Sequence, residues 1–316
     1  LDHLLKRTFS LDHLKMLILD EADRMLSMGF YPDMKQVQRY LPKRPLNACM
    51  FSATFPEYIM RTAREFIRHP EFITLSQDHV HVTDTEHLFY TVPGMDKDRS
   101  LVRLIEIENP VSAIIFCNTK AKVHYVSVVL QRFGYDADEL SADLSQKERE
   151  RVLGRVREGT LRFLVATDVA ARGLDIPDLS HVIQYEPPED PEAYIHRAGR
   201  TGRAGATGIA ISLVSAVEKF ELDRIAKRFS IAMQERPLPS DADVEAVVTE
   251  RVTILLEARL RERDKLLTER SQRFVPLARA LANNEDESAI IAMLLDDYYQ
   301  QTLHTPLPQP REEKPP

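Results

Sequence analysis

The 316 residues are 43% hydrophobic and 29% charged, an ordinary globular composition with enough chain for two or three domains and a sizeable core. A net charge of −7, from 49 acidic and 42 basic side chains, argues against a protein that coats nucleic acid through bulk charge. No apolar run approaches the roughly 20 residues that a membrane helix needs, so no spanning segment is expected.

The charge is unevenly placed. Residues 241–316 hold fifteen acidic and ten basic side chains, which leaves the body near neutral, so any nucleic-acid contact there has to come from placed residues. Cys49 and Cys117 lie in apolar runs without metal-ligand or redox spacing and read as buried thiols in a reducing, cytoplasmic compartment. The opening Leu1-Asp-His-Leu-Leu-Lys lacks both Met and the plan of a signal peptide, which reads as an internal cut.

From residue 14 to residue 214 one pattern repeats: a short apolar run, a polar end, then an amphipathic segment of helical period. Such alternation predicts an α/β fold of βα units in parallel sheets. Strands are predicted at 14–19, 48–51, 113–117, 163–166, 182–185 and 208–214, and helices at 57–68, 122–133, 147–158 and 216–229. Polar groups follow the strands: Asp20-Glu21, Ser52-Ala-Thr54, Asn118-Thr119 and Thr167-Asp168. Ligands of open α/β sheets bind beyond the carboxyl ends of the strands, so these groups are expected to line clefts.

A polar stretch around 79–86 reads as a linker, which makes 1–78 an incomplete first domain and 87–235 a second. Two prolines near Glu235-Arg-Pro-Leu-Pro-Ser240 mark another boundary. Beyond it, Val244, Val248, Val252 and Leu255, then Phe274, Leu277 and Leu281, then Ile291, Leu294 and Tyr298 recur at helical spacing. Three amphipathic helices are predicted, forming a small all-α segment over 241–302. The proline-rich, charged residues 303–316 read as a disordered tail.

The chemistry concentrates in a few segments. Met16-Leu-Ile-Leu19 followed by Asp20-Glu-Ala-Asp23 describes a strand delivering carboxylates to its end, where one can hold Mg²⁺ through water and its neighbour can activate water. The same residues also read as a helix start, with Asp20 as cap and Asp23 opposing the dipole. In His196-Arg-Ala-Gly-Arg-Thr-Gly-Arg203 the arginines 197, 200 and 203 recur every three residues and would fan along one helical face. Guanidinium forks suit phosphate oxygens, whereas a merely solvated basic helix would not need glycines in that register.

Ala166-Thr-Asp-Val-Ala-Ala-Arg-Gly-Leu-Asp175 offers a hydroxyl, amides and carboxylates for an RNA phosphate or a ribose, and it equally suits a capped turn. Ser52-Ala-Thr54 alone commonly makes only a turn. Gln146 and Arg149, a turn apart at a helix start, fit either a solvated face or a phosphate contact. Nowhere does Gly precede Lys, so the phosphate loop ending in Gly-Lys-Ser/Thr is not in this sequence.

Taken in order with Ile115-Phe-Cys-Asn-Thr119 and Gln146-x-x-Arg149, these segments resemble the DEAD-box ATP-dependent RNA helicases over residues 1–235. The resemblance implies the end of one RecA-like domain and a complete second one. It implies ATP and Mg²⁺ as ligands, with Asp20 serving the metal through water, Glu21 the attacking water, Arg200 and Arg203 the γ-phosphate and Asp175 the ribose. Asp23, Ser52, Thr54 and His196 would couple the domains, and Thr167, Thr119 and Arg149 would contact the RNA backbone. Local separation of an RNA duplex would follow from closure of the two domains around ATP and RNA.

Two departures from the family pattern qualify this. The upstream phosphate loop and early RNA motifs are absent, so the chain alone is not expected to hydrolyse ATP, and Ser141-Ala142 stands before Asp143 where the family usually has His-Gly. The tail more loosely resembles the dimerisation segment of bacterial cold-shock-type members, which implies a homodimer; its helices folding back on the second domain is the alternative. Two other functions stay open, a nonenzymatic RNA-binding and dimerisation module and a DNA-directed helicase.

Overall fold

Apolar runs ending in carboxylates or hydroxyls become parallel strands in both of the compact units into which the chain divides, Leu1–His81 and Val82–Pro316. The computed structural model describes residues 1–26, 29–52, 55, 57–74, 85–171, 176, 179–202 and 208–302. The first unit contains α1 (Asp2–Leu5), β1 (Met16–Leu19), α2 (Ala22–Met25), α3 (Tyr31–Arg39), β2 (Asn47–Met50) and α4 (Glu57–Ala63). The predicted helix 57–68 thus ends at Ala63 and gives way to turns.

Strands β1 and β2 pair in parallel, with Met16 opposite Asn47 and Leu19 opposite Met50. Because side chains alternate across a strand, Leu17 and Leu19 face a small core with Leu26, Met34, Ile59 and Ala63, while Met16 and Ile18 point the other way. Those two are 52% and 56% exposed. Cys49 lies on β2 and is exposed, contrary to the expectation of a buried thiol, because this sheet buries only one of its faces. Cys117 is buried, and burial pushes its thiol up to about 12.

In the second unit the chain runs β3 (Thr85–Thr91), α5 (Lys97–Glu108), β4 (Ala113–Phe116), α6 (Lys120–Arg132), β5 (Ala137–Leu140), α7 (Gln146–Arg157), β6 (Phe163–Ala166) and α8 (Asp168–Ala171). It continues through β7 (His181–Gln184), α9 (Pro191–Ala198), β8 (Gly208–Val214), α10 (Ala216–Phe229) and β9 (Met233–Glu235). The strands form one parallel sheet in the order β5-β6-β4-β7-β8-β3-β9.

The central strands β4 and β6 are apolar and buried at every position because both faces of the sheet are covered. On β4, Ala113 and Ile115 join a core with Leu101 and Leu104 of α5 and Val126 and Leu130 of α6. Ile114 and Phe116 face the opposite core with Val152 of α7, Tyr194 of α9 and Leu222 of α10.

Strands β3, β5 and β9 were not anticipated. Thr85 and Glu86, assigned to the linker, are the first residues of β3, whose polar start conceals a strand that pairs with β8 over its whole length. Strands β5 and β9 are the sheet edges, where polar residues such as Asp138, Glu139 and Gln234 are tolerated and alternation is lost.

The described residues beyond 240 form four helices rather than three: α11 (Asp241–Arg261), α12 (Lys265–Gln272), α13 (Val275–Ala282) and α14 (Glu285–Thr302). Ser240 opens α11 with a reciprocal cap to Asp243, as Ser145 and Ser215 do with Glu148 and Glu218 for α7 and α10. Far from standing apart, these helices belong to the second unit. Val248 and Val252 of α11 lean on the core beside α5, and Tyr299 of α14 is part of that core.

Candidate functional site

The end of β1 is built around a backbone conformation that L-residues rarely adopt. Glu21 sits at φ 54°, ψ 44° as the first residue before α2, so it and not Asp20 occupies the cap position. Holding a non-glycine residue there costs on the order of 1–3 kcal/mol, a cost tolerated where surrounding contacts enforce it. Here the contacts are explicit. Asp20 is exposed, and its Oδ1 accepts from the Glu21 amide at 2.9 Å. Asp23 is 5% exposed, and its Oδ1 accepts from the Arg24 amide at 2.9 Å.

The ends of β1 and β2 are tied together. Phe51 donates its amide to Leu19 O, and Ala22 donates to Phe51 O. The Asp23 amide donates to Ser52 Oγ at 3.2 Å, so the serine that follows β2 and the carboxylate segment that follows β1 form one piece of structure. Thr54 lies outside the described residues.

In the second unit the predicted groups follow the adjacent strands β6, β4 and β7, whose parallel direction puts all three carboxyl ends on one edge. Thr119 caps α6, accepting from the Lys122 amide at 3.2 Å. Thr167 accepts from the Ala170 amide at 3.3 Å and so caps α8, while Arg149 reaches from α7 to donate to Ala170 O at 3.0 Å. A hydroxyl that accepts from an amide keeps its own proton to donate, so the capping positions of Thr119 and Thr167 are compatible with a phosphate contact. Lys120, next to Thr119, pairs with Asp143 at 2.8 Å in solvent, beside the Ser141-Ala142 segment.

The arginine segment departs from the expected geometry. Helix α9 ends at Ala198 and Gly199 terminates it, so Arg200 lies beyond the helix that carries Arg197 and the two do not share one helical face. Arg197 turns inward and is 1% exposed. Its Nε and Nη2 grip Asp168 Oδ1 and Oδ2 at 2.7 Å each. Nη2 also donates to Asn118 Oδ1 at 2.8 Å, and Nη1 donates to Glu186 O at 2.7 Å and Gln184 Oε1 at 3.4 Å. The guanidinium lies 5.2 Å from the Phe116 ring centroid.

The turn beyond α9 is held from below. Thr201 is 1% exposed and donates to Leu179 O at 2.5 Å, while the Leu179 amide donates to Arg200 O at 3.2 Å. Gly202 takes φ 72°, and a Cβ on Gly208 would lie 2.3 Å from Thr201 Oγ1, so β8 has to start with glycine to let the turn pass. His196 and Arg200 come out of this frame part-exposed and border a small depression with Phe116, Asp168, Ala171 and Ala193. Asp175 and Arg203 lie outside the described residues.

Sequence reasoning thus missed Arg197 as an internal anchor, and with it Asn118, Gln184 and Glu186. One signal was available: Tyr194, Arg197 and Ala198 fall on one helical face, and both flanking residues are fully buried.

Comparison with known proteins identifies the relatives of the chain. The DEAD/DEAH box helicase model matches residues 1–62, and the helicase conserved C-terminal domain model matches residues 96–205. RNA helicase CrhR of Synechocystis sp. is 40% identical over 298 residues, covering 94% of this chain and 59% of CrhR. The DEAD-box ATP-dependent RNA helicase CshA of Geobacillus kaustophilus is 36% identical over 319 residues, covering 100% of this chain and 66% of CshA. The chain therefore spans less than two thirds of either relative. Among solved structures, S. cerevisiae Dbp5 bound to RNA and ADP BeF3 superposes with a TM-score of 0.70 at 34% identity, over 79% of this chain and 66% of that one.

Proposed function

Because this chain belongs to the DEAD-box helicase family, with RecA-like α/β domains, we propose that it is the part of an ATP-dependent RNA helicase that carries the water-activating carboxylates and the arginine segment. The observation that carries this reading is the bond between the Asp23 amide and Ser52, which joins two motif segments at neighbouring strand ends in the first unit.

In this reading Glu21 positions and deprotonates the attacking water, its rare backbone conformation setting the carboxylate's direction. Asp20 is the residue to hold Mg²⁺ through water: one of its oxygens accepts from the Glu21 amide, and the exposed carboxylate keeps further lone pairs for metal-bound water. Bound there, the ion neutralises charge on the phosphates. Arg200 and Arg203 complete the site toward the γ-phosphate and Asp175 toward the ribose. Thr119 and Thr167 donate to the RNA backbone, and Arg149 contributes by fixing α8 as well as by its own charge. Asp23, Ser52, Thr54 and His196 pass the nucleotide state between domains. Recognition of RNA over DNA then rests on backbone and 2′-hydroxyl contacts rather than on base identity.

A second copy of the chain is the proposed partner of the C-terminal helices, since α12 and α13 bury no residue, and Phe274 and Leu277 at α13 and Leu294 of α14 are more than half exposed. Exposed apolar area of this kind marks association surfaces.

The decisive experiment compares ATP turnover by this chain with turnover by the chain joined to the upstream half that its relatives carry, each with RNA, with DNA and without nucleic acid. RNA-stimulated turnover is expected only in the joined form. Glu21→Gln should lower it by about 10²–10⁴-fold, the usual contribution of a general base. Turnover indifferent to that substitution would refute the assignment, and binding of RNA without turnover would favour a nonenzymatic module.

A further inference from the structure

We propose that Arg197 is a positioning residue that couples RNA binding to nucleotide binding inside the second unit, an inference that rests on the helicase reading above. A guanidinium has five N–H donors in a fixed planar fork. For Arg197 the five are matched: one on Nε to Asp168, two on Nη1 to Gln184 and Glu186 O, and two on Nη2 to Asp168 and Asn118. With these contacts made and 1% of its surface exposed, it has no donor to offer a phosphate.

What it grips gives it a role. Asn118 precedes Thr119 and Asp168 follows Thr167, so the two hydroxyls assigned to the RNA backbone are each one residue from an Arg197 contact. On its own segment Arg197 follows His196 and precedes Arg200 by three residues, with the Arg200 amide donating to Arg197 O at 3.0 Å. A shift of either strand end when RNA docks is therefore delivered, through a buried and saturated contact, to the turn that presents Arg200. Asp168 keeps a 34% exposed side chain, so its end of the clamp lies where a ligand can reach. Lysine cannot substitute, because an ammonium is a point donor with three protons and cannot meet the five acceptors that the guanidinium fork reaches.

The test uses the chain joined to the upstream half, in Arg197→Lys, Asp168→Asn and the double variant. RNA affinity is measured with and without a non-hydrolysable ATP analogue, well below each variant's melting temperature. The ratio of the two dissociation constants reports coupling, which is typically roughly 5–150-fold where sites communicate. Arg197→Lys should reduce that ratio at least about five-fold, Asp168→Asn should reduce it in the same direction, and the double variant should lose no more than Arg197→Lys alone, as for residues acting as one unit.

A ratio preserved in both single variants, whatever happens to their melting temperatures, would overturn the proposal. Loss of folding in both would overturn it too, by reducing the network to a folding requirement. A wild-type ratio of one would instead defeat the helicase reading itself.

Discussion

At the scale of single residues, burial changes chemistry in ways that residue type does not announce. His181 opens β7 at 7% exposure, its Nδ1 2.9 Å from Ser180 Oγ and its Nε2 buried with no hydrogen-bond partner among the described residues. Burial, then the charge of nearby Arg162, lowers its pKa to about 4. Between pH 4 and the usual imidazole value near 6.5 the unfolded chain holds a proton that the folded chain refuses, so stability rises with pH across that window. The histidine's contribution is complete above pH 6.5 and lost as pH falls toward 4, at most about 3 kcal/mol. His181→Leu should flatten the difference in urea midpoint between pH 7 and pH 5; an unchanged difference would show that His181 is not its source. The same scale separates Asp20 and Glu21, legible as carboxylates at a strand end, from Arg197, whose inward turn depends on partners 11 to 79 positions away in sequence.

At the scale of elements, helical period announced amphipathic helices in the tail but not what they cover. Glu106 of α5 is the point of attachment. It accepts from Tyr135 and, at 2.5 Å, from Tyr299 of α14, while Arg251 of α11 donates to Tyr299 Oη at 2.9 Å and to the Glu106 carbonyl at 3.0 Å. Gly134 next to Tyr135, at φ 82°, leaves the space that Gln300 fills: a Cβ there would lie 2.0 Å from Gln300 Oε1. Tyr135 and Tyr299, distant in sequence, thus share one carboxylate, and Arg251 closes the network through Tyr299 Oη and the Glu106 carbonyl. Tyr299→Phe removes a hydroxyl from the network and should cost about 1–3 kcal/mol, the penalty for leaving buried polar groups without a partner. Hydrogen exchange should show faster exchange along α14 while the central strands stay protected; unaltered protection of α14 would show that Glu106 does not hold it.

At the scale of the whole molecule, each unit exposes an apolar surface among the described residues. The outer face of β1 and β2 exposes Met16 and Ile18, although parallel sheets are ordinarily covered on both faces. The α13 and α14 surface exposes Leu277, Met293 and Leu294 at about the same level. Both would drive association, so a mass measurement on the chain alone does not distinguish them. Residues 82–302 carry the second unit's sheet and both of its cores and lack the β1–β2 face. They should still form a dimer whose population depends on concentration, and Leu294→Glu should return it to the monomer. A monomer mass at every concentration would refute the second copy as partner and assign any association of the longer chain to the first unit.

By itself the sequence determined the α/β class, the central strands, the order of the motif segments and the family they resemble. Each of these is written locally, in runs of four to seven apolar residues and in short spacings that survive without knowledge of neighbours. The tertiary structure decided the rest. Edge strands β5 and β9 exist because a partner strand supplies the pairing that their own polar sequence does not advertise. Cys49 is exposed because none of the described residues covers its face of the sheet, and the tail helices join the second unit because Glu106 and Tyr135 meet Tyr299 there. Arg197, which repeats with Arg200 and Arg203 every three residues, is the internal tie among three strand ends. Helix α9 stops at Ala198, and a guanidinium inside a protein core has to satisfy all five donors with whatever the fold brings to it.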